Sequence, residues 1–81
     1  MELKPLIDGQ VRRKLEDTFG SAVAVMIMAS ATNAAAVPIM DPSREDFLRL
    51  VDAVCRDQRV LDMWGKAGAE DAARAWKELV G

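Results

Sequence analysis

The stretch that decides the fold is Ala22-Val23-Ala24-Val25-Met26-Ile27-Met28-Ala29, inside a run from Ser21 to Met40 that holds no charged residue. The β-branched residues Val23, Val25 and Ile27 alternate strictly with Ala24, Met26 and Met28. Period-two placement of β-branched side chains points to a strand. Neither face of it would be polar, so the strand would need cover on both sides. Ser30-Ala31-Thr32-Asn33 then supplies turn chemistry. Residues from about 35 to 40 read as a second, weaker strand, with Pro38 restricting it to an edge.

Outward from this pair, the flanks read as helices. On the N-terminal side Val11, Leu15 and Phe19 form an i, i+4 stripe, with Asp8 as N-cap and Gly20 past the C-terminus. Leu3, Leu6 and Ile7 extend that stripe backwards or form a short strand. On the C-terminal side Asp41-Pro42-Ser43 reads as a helix start with Asp41 as cap and Pro42 at the first position. Phe47, Leu50, Val51 and Val54 follow at helical spacing. A break near Asp57, a resumption through Trp64, a stop at Gly65 and a final helix opening at Gly68 complete the chain. The expected fold is α+β: an N-terminal helix, a short antiparallel strand pair (about 22–29 and 35–40) and two to three C-terminal helices. The alternative is all-α, with residues 21–36 as a buried, alanine-rich helix.

At 81 residues the chain is one small domain, short for stable folding on its own. Thirteen acidic against eleven basic residues leave a formal charge of −2, and there is no histidine or tyrosine. Cys55 is the single cysteine, so neither an intramolecular disulfide nor a thiolate–imidazole zinc site can form. A small buried hydrophobe is its expected role, and no cofactor is implied. The uncharged run has the length of a membrane-spanning helix. Its Ser21, Ser30, Thr32, Asn33 and Pro38, together with many alanines, argue against a span. The charged, proline-containing start does not read as a secretory signal, and a cytoplasmic protein is expected.

Carboxylate neighbours such as Glu45/Asp46 and Glu70/Asp71 fall in first helical turns, where capping and dipole roles account for them. Arg12-Arg13-Lys14 meets Glu16 and Asp17 four residues on, a self-neutralising face. The most motif-like element is Gly65-Lys66-Ala67-Gly68. It resembles, over these four residues and their helical flanks, the GxxG loop by which KH domains clamp a nucleic-acid backbone. That resemblance implies phosphate contacts from Gly65, Lys66 and Gly68, with Arg59 and Arg74 nearby. No strand signal follows the last helix, and Glu70 and Asp71 would repel phosphate. The plain role of these glycines is to end one helix and start the next.

The preferred functional expectation is a non-catalytic interaction or accessory protein that self-associates. A strand apolar on both faces would be completed by a second copy, through an interface of Val23, Val25, Met26, Ile27 and Met28. A protein partner and a symmetric dimer are expected, nucleic acid and membrane are not. The alternatives are a nucleic-acid-binding module using the Gly65–Gly68 loop, or a small subunit of an enzyme complex.

Overall fold

Six of the fifteen residues from Ser21 to Ala35 are alanine, the strongest helix former, and none is proline or glycine. In the computed structural model, which describes residues 3–38 and 40–81, this segment is a helix. The expected α+β fold is therefore corrected to all-α, and among the described residues there is no strand. The physical reason lies in the absence of contrast. A periodicity is readable only where polar and apolar positions alternate, and here every position from 22 to 29 is apolar. Burial supplies the contrast that the letters lack. Ala24, Ile27 and Ala31 are buried, at i, i+3 and i+7, on one helical face.

The elements in order are α1 (Lys4–Leu6), a π-helical turn (Ile7–Val11), α2 (Arg12–Phe19), α3 (Ser21–Ala35), α4 (Arg44–Arg56) and α5 (Gln58–Glu78). The first three form one continuous helical run, so Leu3 and Ile7 extend the helix stripe rather than a strand. Asp8 lies inside the π turn and caps nothing. The turn has a cause in the stripe. Leu3, Ile7, Val11 and Leu15 are all buried and recur every four residues. On a regular 3.6-residue helix that spacing drifts about 120° from the first to the last. One wider turn, with the Arg12 amide reaching back to the Ile7 carbonyl, brings the stripe back toward the core.

The helix borders rest on two glycines and one αL residue. Gly20 (φ 85°, ψ 164°) separates α2 from α3 as expected. The turn expected at residues 30–33 instead comes at Ala36, which sits at φ 53°. There the Val37 amide donates to the Thr32 carbonyl at 3.0 Å and the Ala36 amide to the Asn33 carbonyl at 3.2 Å. This is the Schellman pattern of helix termination. The expected second strand at about 35–40 is thus a helix end and a connection; Ile39 within it, like Met1 and Glu2, lies outside the described residues.

α4 begins at Ser43, not Asp41. The Asp46 amide donates to the Ser43 hydroxyl at 3.1 Å, and the Ser43 amide donates to the Asp46 carboxylate at 2.8 Å. This reciprocal box satisfies two free amides, whereas an Asp41 cap would satisfy one. Asp41 adopts φ 52° instead, and Pro42, just before the cap, is buried. Asp57 ends α4 and caps α5, accepting from the Arg59 amide at 2.9 Å.

α3 packs between α2 and α4, and α5 packs along α4. The core joins Val11 and Leu15 to Ile27, Phe47, Leu50, Val51, Val54 and Val60, all fully or almost fully shielded from solvent. Trp64 bridges two tiers of this core. Its ring lies 6.2 Å from both Phe19 and Trp76, its indole N–H donates to the Thr18 hydroxyl at 3.2 Å, and Lys14 sits 5.1 Å above it.

Candidate interaction surfaces

The five residues expected to form one interface are dispersed by the helix. Ile27 is fully buried in the core, Val23 and Met28 are half-buried, and only Val25 and Met26 are exposed, at 47% and 56%. The helix instead assembles a face the strand reading could not. Ala22, Val25, Met26, Ala29 and Asn33 share one side at i, i+3/i+4, i+7 and i+11, and all are exposed. No residue of α3 carries a charge. Exposed faces elsewhere do: Arg13, Lys14 and Asp17 on α2, Glu45 and Arg49 on α4, Glu70, Asp71 and Arg74 on α5. A helix on the surface of a small protein ordinarily sets charged residues opposite its buried stripe. α3 does not.

The Gly65–Gly68 segment forms a kink inside α5. Gly65 has φ 72° and ψ 168°, a conformation that breaks the helix as expected. Gly68 does not cap the helix that follows; it lies within it, where a Cβ would come 3.1 Å from Trp64 Cβ. Its role is close packing beneath the tryptophan. Lys66 is exposed and has no carboxylate within 4 Å among the described residues. The two neighbouring bases are differently placed. Arg59 is held by Asp57 through contacts of 3.0 and 2.8 Å. This pairing keeps the Asp57 carboxyl below its ordinary range and raises the guanidinium. Arg74 lies 3.5 Å from Asp71. Glu70 and Asp71 are both exposed within the first turns after the kink. The region is a mixed-charge surface rather than a basic one.

A third surface was not legible in the letters. Between α4 and the part of α5 beyond Gly65 runs a groove of about 1100 Å³. Its floor is Leu48, Cys55, Leu61, Ala69 and Ala73. The alanines make it: where α5 turns Ala69 and Ala73 toward α4, short side chains leave a trough that leucines would have filled. The Lys77 ammonium meets the Asp52 carboxylate at 2.8 Å, tying the two walls together. At one end Arg44 Nε donates to the Val80 carbonyl at 3.1 Å. Burial pushes the Cys55 thiol up to about 11, with the Asp52 carboxylate adding to the rise. Cys55 at neutral pH is therefore a neutral thiol and a poor nucleophile. The one sequence signal for the groove was Leu48 and Cys55 flanking the main stripe of α4.

Among the described residues no group of three or more Cys, Asp or Glu side chains is placed to hold a metal ion, and no helix is long and apolar enough to cross a membrane. No protein-family model matches the chain, and neither curated proteins nor solved structures give a significant match.

Proposed function

We propose that this chain is a small non-catalytic interaction protein that self-associates through the open face of α3. The carrying observation is a surface helix without a single charge, whose outer face presents Ala22, Val25, Met26, Ala29 and Asn33. A second copy is the occupant that suits this face. Two-fold apposition of the α3 face itself sets no like charges against each other, Lys4, Asp8 and Arg12 lying at its margin beside Val25 and Ala29, and Ala22 and Ala29, seven residues apart, let two helices approach closely. The notion of a two-sided strand completed by its own copy falls away; the same segment serves the same end as a helix.

The two large exposed side chains supply part of the free energy that a dimer needs. Val25 and Met26 are each about half-exposed, so covering the rest gains roughly 1 kcal/mol apiece. A two-fold interface doubles this to about 4 kcal/mol, which does no more than offset the smallest cost of association, so the dimer rests equally on close helix contact across Ala22 and Ala29. Removing Met26 from both copies forfeits about 2 kcal/mol, roughly a 30-fold rise in Kd.

Light scattering or sedimentation of the wild-type chain is expected to give a particle of twice the 8.9 kDa protomer mass. Met26→Glu is expected to return the monomer with its helical circular dichroism intact, since the side chain is outside the core. A wild-type chain that stays monomeric into the hundreds of micromolar would refute the reading. The bases around Gly65 lend little to a nucleic-acid module, because Arg59 is engaged by Asp57, Arg74 by Asp71, and Glu70 and Asp71 follow Lys66 within five residues.

A further inference from the structure

We propose that the groove between α4 and α5 is a docking site for an acidic amphipathic helix of a partner protein. It shares no residue with the α3 face and does not depend on self-association.

Shape is the first ground. The Arg44–Val80 and Asp52–Lys77 contacts show that α5 beyond Gly65 runs back antiparallel along α4. The trough between two such helices is where a third helix nests, and the 66–78 segment makes it about 18–20 Å long. Cys55, Ala69 and Ala73 on the floor present short side chains, so a docked helix can reach ordinary packing distance of about 8–10 Å. Apart from the Lys77–Asp52 tie, the space is broadly open to solvent. A small amphiphile lying there would keep much of its apolar surface wet, whereas a helix buries one face and leaves the other hydrated.

Charge is the second ground. The chain as a whole is negative, yet five of its eleven basic residues line this groove: Arg44, Arg56, Lys66, Arg74 and Lys77. Only three of its thirteen acids do: Asp52, Glu70 and Glu78. Asp52 and Lys77 neutralise each other and Arg74 is engaged by Asp71, which leaves Arg44, Arg56 and Lys66 against Glu70 and Glu78, none of the five with an oppositely charged side chain within 4 Å among the described residues. An occupant complementary to this rim carries carboxylates beside its apolar stripe. A second copy does not fit the description through α3, which has no charge to offer Arg56 and Lys66.

The test uses the full chain, isotope-labelled, and a designed helical peptide of about four turns with Leu at i, i+3/i+4 and i+7 and Glu elsewhere. Its twin replaces every Glu by Lys. The acidic peptide is expected to shift the Leu48, Cys55, Ala69 and Ala73 amides and to bind at least about tenfold tighter than its twin at low salt. The advantage should shrink at high salt. An Arg56→Glu/Lys66→Glu double variant, both positions being exposed, should keep its melting curve and lose that preference. Equal binding of the twins, shifts confined to other surfaces, or an unaffected double variant would each overturn the proposal. So would groove shifts on concentrating the protein alone, which would name a second copy. Shifts with dodecanoate but with neither peptide would name a small amphiphile instead.

Discussion

Replacing glycines one at a time by alanine is expected to move stability in opposite directions, and space has nothing to do with the difference. A Cβ added at Gly9, Gly20 or Gly65 would meet no atom within 4 Å. What separates the three is backbone conformation. Gly20 and Gly65 lie at φ 85° and 72° with ψ 164° and 168°. That region is open essentially to glycine alone, and an L-residue forced into it costs about 1–3 kcal/mol. Gly9 sits in the π-helical turn with no positive φ. There alanine gains roughly 0.8–1 kcal/mol of helix propensity over glycine. For a domain of this size each kcal/mol shifts Tm by about 4–8 °C. Gly20→Ala and Gly65→Ala should therefore each lower Tm by roughly 4–24 °C, while Gly9→Ala raises it by about 3–8 °C. Melting by circular dichroism at one fixed protein concentration reads all three, with urea midpoints as the check on two-state behaviour. D-alanine at Gly20, introduced by chemical ligation, is the decisive control, because positive φ suits it. If Gly20→Ala or Gly65→Ala proved neutral, the two helix breaks would not have the geometry on which the whole chain path depends. A D-alanine variant as destabilised as the L form would refute the conformational explanation itself.

Two further outcomes follow from the capping box and the cysteine. Ser43→Ala should cost about 1 kcal/mol. The backbone amide of Ser43 holds the Asp46 carboxyl below its ordinary 3.8, so the cap's contribution is complete above that value and fades as pH falls through the lower folded-state pKa. Asp46→Asn should flatten the acid limb of the stability profile below pH 3.8, and an unchanged limb would show the box to be unimportant. Cys55, with its thiol near 11, should react with iodoacetamide at pH 8 far more slowly than a free thiol and at the ordinary rate in denaturant. Fast labelling of the folded chain would contradict its partial burial on the groove floor.

Much of the helical frame was legible. The stripe Val11–Leu15 and the set Phe47, Leu50, Val51 and Val54 are interrupted by charged residues, so their spacing could be measured, and all are buried as their periodicity requires. Gly20 and Gly65 were legible as breaks because they stand where apolar periodicity stops. α3 was not, because a segment lacking polar residues has no phase to read. The α4 cap was misplaced by two residues, since Asp41-Pro42 and Ser43 are both plausible starts and only Ser43 has Asp46 three residues on to reciprocate. The interface residues inherited the error of the segment: a helix turns each residue by about 100°, so five consecutive or alternate positions cannot face one way.

By itself the sequence determined that helices stand on both sides of the uncharged run, and that the chain has no imidazole and a lone thiol. It also determined that the apolar surplus lies between Ser21 and Met40. Those properties reside in composition and in local contrast, which do not need neighbours to be known. Only the tertiary structure decided that the uncharged segment is a helix, that Ala24, Ile27 and Ala31 turn inward while Val25 and Met26 turn out, and that Ala69 and Ala73 leave a trough against α4. Each of these depends on which surface packs against which, and an alanine reads the same whether it fills a core, lines a groove or waits for a partner.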